Sequence, residues 1–126
     1  MMKCLCAAAI LLVAAPAFAT DCDHATQSND LILCAKQQLK AAQANFAIEA
    51  KKLSQTEAID TKTRQSLAKF YSTARQQLSQ SCQTTYHDSR LQAMYVNGCM
   101  AQQINLLTDS QHAFICHVQQ DAEGCS

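Results

Sequence analysis

The chain has 126 residues, ten basic and ten acidic side chains, and eight cysteines. This length allows one domain with a modest core. The balanced charge, with no run of basic residues, excludes an electrostatic basis for binding nucleic acid or a membrane surface. With two glycines and one proline, the chain lacks the turn residues that a sandwich or barrel requires, and its abundant Ala, Leu, Gln and Lys favour helix. Composition therefore predicts an all-α fold.

The first residues, MMKCLCAAAILLVAAPAFA, are typical of a secretory signal peptide. Lys3 precedes an apolar run over residues 5–15, and the segment ends in the small-x-small sequence Ala17-Phe18-Ala19. We expect residues 1–19 to be removed by cleavage after Ala19, which leaves residues 20–126 as a single domain.

No membrane attachment is expected for the mature chain. The leader's apolar run is too short to span a bilayer, and no later stretch approaches the roughly 18 apolar residues that a span needs. Asp21 directly precedes Cys22, where a lipoprotein signal requires a small residue. We therefore predict a periplasmic or secreted protein.

Cys4 and Cys6 leave with the leader, and the even number of cysteines that remains predicts three disulfides in an oxidising compartment. No C-x-x-C motif occurs, which argues against a thioredoxin-like oxidoreductase. Six cysteines allow fifteen connectivities, so the pairing stays open. Local pairing is favoured, in this order of preference: Cys22 with Cys34, Cys82 with Cys99, and Cys116 with Cys125.

The first of these bridges is geometrically easy. Residues 22–27, if extended, cover roughly 16 Å, whereas the helix from residue 27 to residue 34 rises only about 10 Å. The entry segment can therefore fold back along its own helix. A loop of this size contributes about 3 kcal/mol of stability in the chain-entropy model.

A near-heptad stripe predicts a long amphipathic helix over Asn29–Leu53, with Thr26 or Ser28 as its N-cap and Asp30 at its positive end. A second stripe predicts a helix from Asp60 or Thr61 to Cys82, antiparallel to the first. The apolar residues of the two stripes are Leu31, Ala35, Leu39, Ala42, Phe46, Ala50 and Leu53, then Leu67, Tyr71, Ala74, Leu78 and Cys82.

The C-terminal part predicts two further helical segments. The sequence LQAMYV is helical in composition, and Asn97-Gly98 is the strongest local breaker of the chain. A last helix from Cys99 to about Gln120 carries Met100, Ile104, Leu107 and Phe114 on one face. We therefore expect a small helical bundle of three main helices plus a short one, stapled by disulfides.

The arrangement resembles the LprI-like lysozyme-inhibitor domain, a family of small exported helical domains. The elements that carry the resemblance are Cys22, the sequence ATQSNDLILC ending at Cys34, the helix AKQQLKAAQANFAIEAKKL, Cys82 after the second helix, and Cys99 after the polar loop QTTYHDS. The resemblance covers about residues 21–110. It implies an exported protein that binds and sterically inhibits a lysozyme or related muramidase.

The chain departs from the family pattern in its polar residues. The second helix lacks the family's Trp and its Arg-Asp pair near the third Cys, and Arg75 lies farther from Cys82. The Arg of the last helix is absent, and Cys116 with Cys125 is an addition. If the family's polar residues form its inhibitory surface, these departures imply a different partner.

The polar loop TTYHDSR is the best candidate for a partner-binding segment. It combines Tyr86, His87, Asp88 and Arg90, and Tyr and Arg are favoured anchors of protein interfaces. A Cys82–Cys99 bridge would order the loop before binding and so reduce the entropic cost. The alternative is an ordinary connection in which Asp88 or Ser89 caps the next helix.

Neither catalysis nor a cofactor is expected. His24 beside Asp23 and His87 beside Asp88 lie in no nucleophile motif and are read as solvated polar residues. His112, Cys116 and His117 could offer metal ligands, but an oxidised Cys116 and the different faces of the two histidines argue against a site.

Two alternatives to hydrolase inhibition stay open: a periplasmic stress chaperone or adaptor, and a helical metal-binding protein. A periplasmic stress chaperone or adaptor would part its amphipathic helices to expose apolar surface, and the ten carboxylates could contribute to activation by acid. Long amphipathic helices could also close on a second copy of the chain as a homodimer.

Overall fold

The computed structural model describes residues 22–24, 26–87 and 91–125, with the exception of the Asp23 side chain. The expected signal peptide lies outside the described residues, as do Asp88 and Arg90 of the candidate loop. The described part of the chain forms a short 3-10 helix at Cys22–His24 and three α-helices: α1 over Ser28–Gln55, α2 over Thr61–Thr85 and α3 over Gln92–Val118. The all-α prediction is confirmed.

The stripe of α1 faces the core as predicted. Ala35, Ala42, Phe46 and Leu53 are buried, and Leu39 and Ala50 between them are half-buried, so every third or fourth residue faces the other helices. The predicted N-cap is wrong: Gln27 occupies that position, and within the described structure its side chain makes no capping hydrogen bond. Ser28 is already helical, because the Leu31 N–H donates to the Gln27 carbonyl at 3.0 Å.

The connection between α1 and α2 is a compact turn. The Ile59 N–H donates to the Thr56 carbonyl at 3.1 Å, and both residues are buried. Asp60 then caps α2: its carboxylate accepts the Thr63 N–H at 2.9 Å and the Thr63 hydroxyl at 2.7 Å. These bonds, the hydroxyl's first, lower the pKa of Asp60. The short turn reverses the chain, so α2 runs antiparallel to α1.

The break predicted at Asn97-Gly98 is wrong, because α3 runs through both residues without interruption. Asn-Gly makes a hairpin turn by taking positive φ, but among the described residues Gly124 is the glycine with positive φ. Val96 and Ala101, on either side of Gly98, are buried against the core. Tertiary packing and the Cys82–Cys99 bridge thus maintain the helix through a residue of low helix propensity. The short helical element lies at Cys22–His24 instead.

Contacts between side chains establish the topology. Glu49 of α1 meets His112 of α3, and Cys34 and Cys99 line one groove nearer the starts of the same helices, so α1 and α3 run parallel. Tyr71 of α2 meets Ser110 of α3, whereas Cys82 meets Cys99, so α2 runs antiparallel to α3. The core lies between the three helices and comprises Ala42, Phe46, Leu53, Ile59, Tyr71, Ala101, Ile104 and Ile115.

The structure joins the three cysteine pairs that the sequence favoured. The Cα–Cα distances are 5.6 Å for Cys22–Cys34, 5.8 Å for Cys82–Cys99 and 5.2 Å for Cys116–Cys125, all within the normal range for a disulfide. The first holds the entry segment against α1, the second joins the end of α2 to α3, and the third folds the C-terminal tail onto α3.

Candidate functional site

One end of the bundle combines two disulfides with a surface groove. The start of α1, the end of α2 and the start of α3 meet there, tied by Cys22–Cys34 and Cys82–Cys99. Between them lies a groove of about 420 Å³. We call it the disulfide groove, and its lining residues are Cys22, Leu31, Cys34, Ala35, Gln38, Tyr86, Met94, Tyr95, Gly98, Cys99, Gln102 and Gln103.

Two tyrosines stack at this groove. Tyr86 is the residue that caps the C-terminus of α2, and Tyr95 lies in the first turn of α3. Their ring centroids are 5.5 Å apart and the ring planes are inclined by 19°, an offset stacking distance that is favourable for aromatic pairs. Tyr86 is half-buried, while 44 % of Tyr95 is exposed. The pair presents a rigid aromatic surface to solvent.

The structure places two of the four predicted partner-binding residues at this end. Tyr86 lines the groove. The next residue, His87, is exposed, and its Nδ1 lies 2.9 Å from the Thr84 carbonyl. Asp88 and Arg90 follow in sequence, outside the described residues. Of the two described residues of the predicted segment, Tyr86 therefore lines the disulfide groove and His87 follows it at the surface.

α3 contributes to this surface in a way that the sequence pattern does not predict. Tyr95 and Gly98 line the groove one helical turn apart, and the lack of a side chain at Gly98 keeps the groove floor open. The available signal was the i, i+3 spacing of an aromatic residue and a glycine. This spacing is obscured in the sequence because Asn97-Gly98 itself predicts a break in the helix.

A second cluster lies near the C-terminus of α3. His112 Nδ1 is 3.3 Å from a Glu49 carboxylate oxygen, and Nε2 is 3.0 Å from the Gly124 carbonyl. Nε2 also lies 3.5 Å from Cys116 Sγ. The His112 ring therefore connects α1, α3 and the C-terminal tail. Nothing in the sequence pattern indicates that Glu49 takes part in this cluster.

The residues that could offer metal ligands in this cluster differ from the set His112, Cys116 and His117 considered from the sequence. The potential ligand atoms of His112, Cys116 and Cys125 lie within 4.8 Å of one another, whereas His117 is exposed and outside the group. Metal ligation by cysteine requires the thiolate, and here both sulfurs are joined in a disulfide. In the oxidised protein the cluster fastens the tail.

The fold and the groove define a small disulfide-linked three-helix bundle with a stacked tyrosine pair at one end. Its disulfides fit a location outside the cytoplasm. Within the described residues, none of the helices has the length and apolarity needed to cross a membrane. No family model, curated protein or solved structure matches the chain.

Proposed function

We propose that this protein is a periplasmic or secreted binding protein that blocks a lysozyme-like peptidoglycan hydrolase through the disulfide groove and the segment over residues 86–90. The observation that carries the proposal is the stacked pair of Tyr86 and Tyr95 beside two disulfides. The class of the partner follows from the resemblance of the cysteine and helix pattern to LprI-like inhibitor domains.

The physical basis is a surface whose shape is fixed before binding. Tyrosine supplies a large contact area with few rotatable bonds, so it loses little entropy in an interface. The Cys82–Cys99 bridge limits the motion of the two helix ends that carry Tyr86 and Tyr95. Inhibition would be steric: the aromatic surface occupies the substrate cleft, and Arg90 pairs with acidic groups of the cleft.

The proposal includes no catalysis by the protein itself. Catalysis by histidine needs a ring nitrogen within reach of the substrate or a nucleophile. His112 is paired with a carboxylate, but its second nitrogen faces the Gly124 carbonyl. This arrangement supports a structural role for His112.

The test is inhibition of muramidase activity by the oxidised, exported protein against a panel of lysozymes. We expect Tyr86→Ala and Arg90→Glu each to weaken inhibition about thirtyfold, as for a residue that dominates an interface. Phe70→Ala and Lys69→Glu are the matched controls, because both residues are exposed on α2 away from the groove. The controls should inhibit as the parent protein does.

Two results would contradict the proposal. One is the absence of both inhibition and complex formation with every lysozyme of the panel. The other is inhibition that the control substitutions reduce as strongly as Tyr86→Ala does. Far-ultraviolet circular dichroism of each variant separates a lost contact from a lost fold.

A chaperone or adaptor is the second candidate, favoured by the weak burial of α2. Of its described residues, Tyr71 and Cys82 are buried, and 61 % of Phe70 is exposed. Movement of α2 would uncover apolar side chains of α1 and α3. Suppression of the aggregation of an acid-denatured client protein would support this function. Activity equal to that of an inert carrier protein would exclude it.

A further inference from the structure

A second cavity lies away from the disulfide groove, close to the turn that joins α1 and α2. Its volume is about 170 Å³, and Phe46, Leu53 and Tyr71 form apolar walls from two helices. Ala68 and Ser72 also line it and are exposed, so the cavity opens between α1 and α2. A cavity of about 150 Å³ in another protein admits benzene. This space therefore suits a molecule the size of one aromatic ring.

Two buried polar atoms on lining residues of this cavity lack partners. Gln111 of α3 is 1 % exposed, and its Oε1 has no hydrogen-bond partner among the described residues. Arg64 Nε is likewise buried without a described partner, although the other guanidinium nitrogens donate to the Ser54 carbonyl at 2.8 Å and the Thr61 hydroxyl at 3.1 Å. Gln111 Oε1 is a hydrogen-bond acceptor, and Arg64 Nε–H is a donor. Buried polar groups are normally satisfied, so each atom is a position at which a polar group of a bound molecule would gain a hydrogen bond.

Contacts with neighbouring residues hold Arg64 and Phe46, two of the residues that line the cavity, in position. Arg64 is held by its bonds to Ser54 at the end of α1 and to Thr61 at the start of α2. The Arg75 guanidinium lies 5.5 Å from the centroid of the Phe46 ring, which restrains one apolar wall. This part of the cavity wall is therefore ordered before any ligand enters, which favours binding.

We propose that this cavity binds a small neutral molecule with a ring-sized apolar body and a single hydroxyl group. A hydroxyl has both a proton and lone pairs, so it can donate to Gln111 Oε1 or accept from Arg64 Nε–H. A hydrocarbon of the same size leaves both atoms unsatisfied. A carboxylate could accept from Arg64 Nε–H, but it has no proton to donate and would leave Gln111 Oε1 unsatisfied. The site is separate from the disulfide groove and does not depend on the proposed inhibition.

The test is a titration of the oxidised protein with phenol, toluene and benzoate, followed by ¹H–¹⁵N NMR. Phenol and toluene differ by a hydroxyl in place of a methyl group. We expect saturable shifts centred on Phe46, Tyr71 and Gln111, with phenol bound about tenfold more tightly than toluene, because toluene makes neither hydrogen bond. Benzoate should bind more weakly than phenol.

Variants separate the cavity from general surface binding. Ala50→Leu fills the cavity, since Ala50 lines it, and should abolish saturable binding of phenol. Ala47→Leu is the matched control, because it makes the same change on the exposed face of α1 and should leave binding unchanged. Gln111→Met removes the acceptor and should reduce the preference for phenol over toluene to about twofold.

The outcomes that overturn the proposal are distinct. If phenol and toluene bind equally, or benzoate binds most tightly, the hydroxyl assignment is wrong. If no probe gives saturable shifts, or if Ala50→Leu binds phenol as the parent protein does, the cavity holds only water. These results are obtained without a lysozyme, so failure here and failure of the inhibition assay are separately visible.

Discussion

The parallel pair α1 and α3 differs from α2 in how it is stabilised. Five residues of α1 and six of α3 are buried, whereas α2 has two. α1 and α3 therefore share a continuous apolar interface along most of their length. α2 packs against this pair through a narrower face, with most of its surface in solvent.

Specific contacts compensate for the small buried surface of α2. The Tyr71 hydroxyl is 2.8 Å from the Ser110 hydroxyl, and the Cys82–Cys99 bridge joins its last turns to α3. One contact lies near the middle of the helix and the other near its end. The comparison of α2 with the other two helices shows that a helix with a small buried face can be held in place by a hydrogen bond and a disulfide.

The largest expected effect comes from truncating the interface of α1 and α3. Ile104→Ala removes a side chain that is 1 % exposed and should lower the free energy of unfolding by about 4 kcal/mol. Leu67→Ala, in the half-buried face of α2, should cost about 1 kcal/mol, since less apolar area is lost. Urea denaturation measures both. Equal losses would show that α2 is as tightly packed as the other two helices.

A smaller gain is expected at the glycine inside α3. A Cβ at Gly98 would meet no described atom within 4 Å, so Gly98→Ala should stabilise the protein by about 1 kcal/mol through its effect on helix propensity. Gly124→Ala is the contrasting variant: φ is +82° there, and the new Cβ would lie 3.3 Å from His112 Cε1. Gly124→Ala should therefore destabilise the protein. Thermal unfolding measures the sign of each change, and a stabilised Gly124→Ala would contradict the backbone argument.

The smallest effect is expected at the exposed cap of α2. Hydrogen bonds from Thr63 lower the folded-state pKa of Asp60 below its ordinary value of 3.8. Its contribution to stability is therefore present above pH 3.8 and is lost as the pH falls through the folded-state pKa. Asp60→Asn, which does not titrate, should be less stable than the parent near neutral pH, and the difference should disappear in stronger acid. A difference that is independent of pH would rule out this linkage.

Hydrophobic spacing predicted the helices well where it was continuous. The stripes of α1 and α2 place Ala42, Phe46 and Tyr71 in the core as expected, because burial of one face follows directly from helical periodicity. The prediction failed at Asn97-Gly98, where a local turn preference is weaker than the packing of Val96 and Ala101. That competition depends on contacts with distant residues and cannot be judged from neighbours in sequence.

The candidate sites were less predictable than the fold. Tyr86 was identified because it lies in a polar connection between cysteines. Its partner Tyr95 belongs to another helix, and the stacking depends on how the helix ends meet. Gln111 resembled an ordinary glutamine in a glutamine-rich chain. Its burial depends on the position of α3 relative to both other helices.

The sequence separations of the disulfides have a consequence for oxidative folding. The six paired cysteines are joined as three consecutive pairs along the chain, at separations of 12, 17 and 9 residues. A chain that crosses a membrane from its N-terminus presents these pairs one after another. An oxidase that joins cysteines in their order of arrival therefore produces the native set directly. Oxidative maturation of this protein should not require a disulfide isomerase.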